Sequence, residues 1–417
     1  MKKILASVLS ILSIFTLAAC GETTPKATTT EVKKISRSIS PVEITDDNVL
    51  NSVRVFDAMY ADNKQAMFSP LSLNMCLGML ETGAAGDTKT ALDSYLGNDD
   101  YAAFAEEYLA HANGFNRSVD NEYEKYKNVF EIANSFWGSK DLPFNSDYKK
   151  RVADKFAGQI ESVDFSKKSA AVNKINSWVN DKTHKMIPAI IGEDHIDDST
   201  AAVLVNTVYF ESGWSDEWYT PQNLEEKETF KNADGSTVEM TLMRNGGDGY
   251  FENENATAFS CRYRNGMEFI GILPKKEGGF TLESLDIPSL LASRSDSYDV
   301  FARMPKLNFE SEFPMTDALK AAGLEKMFDP ATADFTPMQG DPDEQFYISE
   351  VLQKTKLELD EYGTRAAAAT AAEVACGAAM PEPREQKEVY LDRQFAFLIY
   401  DSAADQIVFM GKVTGLE

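Results

Sequence analysis

The chain has 417 residues, with 66 Asp and Glu against 41 Lys and Arg, a net charge of −25 and three histidines. So acidic a balance argues against a nucleic-acid partner and against adhesion to anionic surfaces, both of which need a basic face. The four cysteines, Cys20, Cys76, Cys261 and Cys376, show no paired spacing, so a disulfide framework is excluded and folding must rest on the apolar core.

The chain opens with Met1-Lys2-Lys3, an apolar run from Ile4 to Leu17, and Leu17-Ala18-Ala19-Cys20. A basic start, a short apolar core and small residues before the cut describe an export signal, and the run is too short for a membrane span. The Leu-Ala-Ala-Cys end is similar to a bacterial lipoprotein cleavage site. That implies a signal over residues 1–19 and a lipid on Cys20, with the protein held at the cell envelope facing the periplasm or exterior; an ordinary signal with Cys20 as a bystander is the alternative. Residues 20–44, rich in Thr, Lys and Ser, read as a flexible tether. Residues 45–417 are expected to form one domain, as a monomer, because no second low-complexity break divides them.

Helical spacing dominates the first half. Val53, Phe56 and Tyr60 share one face, and Leu71, Met75, Met79 and Leu80 share another after the Ser69-Pro70 start signal. From Ala171 to Lys185, Ile175, Trp178 and Val179 mark an amphipathic surface helix. The period then changes: Ala202 to Phe210 is a near-continuous apolar, β-branched run, as expected of a strand covered on both faces. Further strands are predicted at Phe269 to Leu273, Phe346 to Leu359, Phe395 to Tyr400 and Ile407 to Val413. The class is α+β, helices first and strands later.

Catalytic signatures are missing. His111, His184 and His195 belong to no HExxH motif or Cys/His cluster, and GxSxG, GxxxxGK[ST] and GxGxxG patterns are absent, so no catalytic residue, metal or cofactor is predicted. His184 reads as a solvated residue at a helix end.

Six segments in order resemble the serpin family from about Thr45 onward. They are Phe68-Ser69-Pro70-Leu71-Ser72 with Gly83-Ala84-Ala85-Gly86-Asp87-Thr88; Ala133-Asn134-Ser135-Phe136; Ile175-Asn176-Ser177-Trp178-Val179; Val205-Asn206 ahead of Trp214; Met304-Pro305-Lys306; and Glu361 to Ala367 with Phe409-Met410-Gly411-Lys412-Val413. The resemblance implies nine or so helices around a large mixed main sheet and two smaller sheets, with an exposed reactive-centre loop at about 361–388. It also implies single-use inhibition of serine proteases, in which the protease cuts the loop and the cut loop inserts into the main sheet and traps the acyl-enzyme; a non-inhibitory serpin-fold binding lipoprotein is the alternative.

The loop composition suits insertion. From Thr364 to Cys376 thirteen residues contain neither Pro nor Gly, so nothing interrupts a strand. Even positions, Thr364, Ala366, Ala368, Thr370, Ala372, Val374 and Cys376, are small and uncharged; odd positions hold Arg365 and Glu373 among Ala367, Ala369, Ala371 and Ala375. One face can slide beneath covering helices while the other stays wet. A helix over Ala366 to Ala369 is the alternative for the uncut loop.

Family spacing from Glu361 places the scissile bond at Gly377-Ala378, with Cys376, Met380 and Arg384 as alternates. Small residues there favour an elastase-like or subtilisin-like protease. The resemblance further implies a Glu361–Lys306 ion pair beside Trp214 where the loop enters the sheet, a hinge of Glu361, Gly363, Thr364, Arg365, Ala366, Ala367, Ala368 and Ala369, and a polar cluster of Ser69, Ser72 and Asn206 where strands part. Gln353 stands where that cluster normally has a histidine, and Arg365 where a glutamate is common.

Overall fold

The computed structural model describes residues 46–60, 64–98, 100–120, 125–197, 199–216, 218–220, 227–340, 346–364 and 384–417. All of them lie in one compact unit, Ile39–Glu417. The described residues form eight α-helices with several short 3-10 turns, close to the nine or so expected.

The Pro70–Glu81 helix starts where the sequence signals it. The Ser69 hydroxyl accepts from the Ser72 backbone N–H, and Pro70 occupies the first turn, where its missing N–H costs nothing. The expected single apolar face is too modest a reading, because all twelve residues are buried. This helix is the axle of the core, packed against helices Gly86–Leu96 and Tyr101–Ala112 and against two sheets.

The main sheet has six strands in the order Leu307–Pro314, Glu350–Asp360, Gly363–Thr364, Ala202–Gly213, Val129–Ser139, Gln159–Val163. It is mixed: Glu350–Asp360 runs parallel to Ala202–Gly213, and Val129–Ser139 parallel to Gln159–Val163. Ala202–Gly213 is buried along its whole length, as the apolar run predicts. Its even residues Ala202, Leu204, Val208 and Phe210 enter the large core, and its odd residues Val203, Val205 and Tyr209 enter a second cluster.

That second cluster corrects an expectation. Ile175 and Val179 of the Lys168–Lys182 helix, with Met186, Ile187, Ile190, Ile191 and Ile196 after it, cover the Val203, Val205 and Leu352 part of the sheet. The sheet face expected to stay wet is therefore covered at that end, because apolar side chains on both layers bury one another there. It is open around Lys354, Lys356 and Glu358, which are part-exposed, and at Glu131, Glu310 and Glu312, which are exposed.

A second sheet also has six strands, rather than being a small one: Gln65–Phe68, Gln406–Val413, Phe395–Asp401, Glu268–Pro274, Ala256–Arg262, Gly249–Glu252, all antiparallel. A three-stranded sheet joins Gln386–Tyr390, Asp299–Met304 and Met243–Gly247. The predicted strand at Phe346 begins only at Glu350, and the loop expected to end near 388 already ends at the Gln386 strand.

Candidate functional site

The main sheet is unfinished at its centre. Ala202–Gly213 and Glu350–Asp360 pair from Val203 to Thr207 against Glu350 to Lys354. Past Lys354 they part: residues Thr355 to Glu358 and Val208 to Glu211 have no ladder pairing with each other. At the far end Gly363–Thr364 lies between them, antiparallel to both, with Thr364 opposite Leu359 on one side and Ser212 on the other. The result is a slot between a closed seam and a two-residue plug.

Tight packing holds the plug. Gly363 has φ 149°, and a Cβ there would lie 2.6 Å from Gly213 Cα and closer still to the Ser212 carbonyl oxygen, so only glycine fits. The buried Thr364 hydroxyl shares a 2.7 Å hydrogen bond with the Tyr263 hydroxyl, and the Tyr263 ring stacks on Trp214 at 4.3 Å. Trp214 Nε1 donates to the Asp360 carbonyl at 2.8 Å, and the Trp214 backbone N–H donates to the Tyr362 carbonyl at 3.0 Å. Lys306 pairs with Glu361. Burial would lift the Glu361 carboxyl, but hydrogen bonds from the Lys306 ammonium and the backbone outweigh it and hold the group below its ordinary value.

A buried polar cluster closes the other end. The Ser69 N–H donates to Gln353 Oε1 at 2.7 Å, while Gln353 Nε2 donates to the Ser69 carbonyl at 3.0 Å and to Asn206 Oδ1. Asn206 Nδ2 donates to the Ser72 carbonyl at 2.7 Å, to the Ser72 hydroxyl and to Asn134 Oδ1. Ser69, Ser72, Asn206 and Gln353 are fully buried, so each bond exists in a low-dielectric setting where an unpaired group is costly. Gln353 fills the histidine position because its amide supplies an acceptor and donors at once.

The structure thus brings Ser69, Ser72, Asn206 and Gln353 together at one end and Trp214, Lys306, Glu361, Gly363 and Thr364 at the other. Sequence reasoning missed Tyr263, which holds the plug, and Asn134, although Asn134 lies in a quoted motif and opposite Asn206 in the ladder. Alternation along Val129–Ser139 offered one signal: a lone amide among apolar neighbours needs a partner. The scissile-bond candidates Cys376, Gly377, Ala378 and Met380, the hinge residues Arg365 to Ala369, and Cys20 all lie outside the described residues. Arg384 is placed against the body, its Nη1 donating to the Asp296 carbonyl at 3.1 Å, and Glu385 already bonds to Asp299.

The histidines are dispersed. His111 bonds Asp401 at 2.9 Å, His184 rests on the Tyr209 ring and bonds Glu131, and His195 lies 4.0 Å from Glu350. Among the described residues no group of three or more His, Cys, Asp and Glu side chains is placed to hold a metal. Cys76 and Cys261 are free and buried, and burial pushes the Cys76 thiol up to about 12.

Residues 48–416 match the family model described as Serpin (serine protease inhibitor). The chain belongs to the serpin family. Serpin B10 of Otolemur garnettii is 28% identical over 381 residues, covering 85% of this chain and 94% of that protein. Leukocyte elastase inhibitor A of Mus musculus is 25% identical over 387 residues, covering 89% and 99%. The thermophilic serpin tengpin in its native state is similar with a TM-score of 0.74 and 27% identity, covering 89% of this chain and 94% of tengpin. Serpins are generally protease inhibitors of the suicide type rather than enzymes.

Proposed function

We propose that this serpin is an irreversible inhibitor of serine proteases, with elastase-like or subtilisin-like enzymes as targets. The unfilled slot beneath the Gly363–Thr364 plug carries the reading. In the reaction the protease serine Oγ attacks the Gly377 carbonyl carbon, the bond to Ala378 breaks, the new amine takes up a proton, and Gly377 remains esterified to the serine. The cut frees the segment from Arg365 to Gly377 to extend the plug.

Extending the existing register predicts where each residue lands. With Thr364 opposite Leu359 and Ser212, Thr370 reaches Gln353 and Asn206, and those two are already opposite one another, so both sides agree. A threonine entering there separates Gln353 from Asn206 and offers its own hydroxyl to both. Arg365 falls between Glu358 and Glu211, which gives the arginine two carboxylate neighbours at a position where the family commonly has glutamate. Ala371 falls between Leu352 and Val205, under the covered part of the sheet, where nothing larger than a methyl would enter easily. The slot's unpaired backbone groups gain partners as the strand fills it.

Mixing the full chain with pancreatic elastase or subtilisin tests this: a complex that survives boiling in detergent is expected, and release of cleaved inhibitor alone from every serine protease tried would refute it. We further propose export and lipid anchoring through Cys20, supported by the Leu17-Ala18-Ala19-Cys20 end of the signal. Labelled palmitate should enter the protein and be lost in Cys20→Ala.

A further inference from the structure

Among the described residues the exposed large hydrophobics are Tyr219, Phe301 and Tyr362, at 62%, 46% and 38% exposure. Exposed aromatics scattered singly need no explanation, but these cluster around the two roots of the loop. Tyr362 immediately precedes the plug. Phe301 lies opposite Glu388 of the Gln386–Tyr390 strand, the strand in which the loop ends.

Register assigns a common face. Tyr219 bridges Arg244, Arg244 is opposite Arg303, and Arg303 is opposite Tyr390. Phe301, two residues from Arg303, shares its side of the sheet with Gly246 and Glu388. The other side is the buried one, carrying Val300, Ala302, Met304 and Val389. The outward face therefore presents Tyr219, Phe301 and Tyr390 with Arg244 and Arg303. The Arg303 guanidinium sits 4.3 Å over the Tyr390 ring and pairs with Glu228, so the charged residues are fixed in place. Aromatic and arginine side chains held rigid on an open face are the composition of a binding hot spot.

We propose that this face is a second contact surface for the target protease, engaged while the loop occupies its active site. The occupant follows from the chain itself. Eight residues lie between Gly377 and Gln386, a tether of at most about 32 Å, so a protease holding the bait is kept beside the sheet that carries Phe301. This inference rests on the inhibitory reading above, and it deepens that reading by adding a determinant of target choice outside the loop. Gly246, next to Phe301 in the sheet, leaves a low spot beside the ring into which a partner side chain can settle.

The test compares association rates of full-length wild type, Phe301→Ser and Tyr219→Ser/Phe301→Ser with pancreatic elastase and with subtilisin, alongside inhibition stoichiometry and unfolding midpoint. The expected result is a fall in association rate of about tenfold with at least one enzyme, at unchanged stoichiometry and midpoint. Equal rates for all three proteins would overturn the second contact surface while leaving the inhibitory function intact. Failure of wild type to form any detergent-stable complex would overturn the inhibitory reading and this one with it. A faster variant would assign the face to the chain's own loop, and a wild-type dimer dispersed by Phe301→Ser would assign it to a second copy; either overturns the proposal. Should Phe301→Ser lower the midpoint, Phe301→Tyr, which keeps the ring, is expected to restore both midpoint and rate.

Discussion

The two six-stranded sheets are of equal strand number but differ in completeness. The sheet running from Gln65–Phe68 to Gly249–Glu252 is antiparallel throughout, its central strands buried and paired on both edges. The main sheet contains parallel neighbours that pair over part of their length and then part around a plug. A complete sheet has spent its pairing capacity, whereas an incomplete one retains unpaired backbone groups whose satisfaction can be coupled to an event. Stability should therefore be sensitive to the first sheet and inhibition to the second.

The largest expected effect is at the plug. Thr364→Arg forces a cation into the core-facing position beside Tyr263 that Thr364 already occupies in the uncut protein, so the plug is expelled and the loop cannot enter behind it. Elastase should then cut the loop and leave, with no detergent-stable complex, while the uncut protein still unfolds cooperatively. Ala368→Pro, farther along the loop, should give the same substrate behaviour by removing a ladder hydrogen bond, which separates blocked insertion from local damage at the plug. In wild type, cutting the loop with a non-target protease should raise the melting temperature by about 10 °C or more, and neither variant should show that gain.

The complete sheet should respond in the opposite way. Phe397 is fully buried and stacks on Phe269 at 5.7 Å. Phe397→Ala leaves a cavity and should lower stability by about 3–5 kcal/mol, read by denaturant unfolding. Its inhibition stoichiometry should change far less, because Phe397 reaches the plug only through Phe269 and Trp214.

Between these lies Gln353, which belongs to both economies of the main sheet, fold and opening. Gln353→Leu strips the partners of the Ser69 N–H and Asn206 Oδ1, while the Ser69 carbonyl keeps the Leu73 N–H, at about 2–3 kcal/mol. With the seam weakened, the active fraction should also decline on warm storage without any protease. Unchanged shelf life beside a lowered midpoint would show that the cluster supports the fold but does not hold the seam shut.

How much of this was readable beforehand depended on whether a feature is local. The Ser69 cap and the doubly buried strand at Ala202 follow from residue type and spacing. The Lys306–Glu361 pair and the Ser69, Ser72, Asn206 and Gln353 cluster came only through family resemblance, since Gln353 and Ser69 are 284 residues apart and no local pattern links them. Tyr263 and Asn134 escaped because their roles depend on register between distant strands. The burial of Pro70–Glu81 on every side escaped for a related reason: periodicity identifies an apolar face, but not how many layers will surround it. The cover over the Val203 side of the sheet belongs to the same class, set by where the Lys168–Lys182 helix packs.

The smallest predicted effect concerns the Glu361–Lys306 pair, and its sign is fixed by the lowered Glu361 carboxyl. A carboxyl whose folded pKa lies below its ordinary 4.5 adds stability above that pH, and the contribution is lost as pH falls through the lowered value. Glu361→Gln should therefore unfold at a slightly lower temperature than wild type at pH 7, and the two should converge as the pH falls through the lowered Glu361 value. Because Lys306 is about half exposed, the difference should also shrink in high salt. The pair sits at the mouth of the slot, so the same substitution should leave the complete sheet unaffected while changing the rate at which the cut loop enters. A pH-independent gap between the two proteins would mean that Glu361 acts through the packing of its side chain and not through its charge.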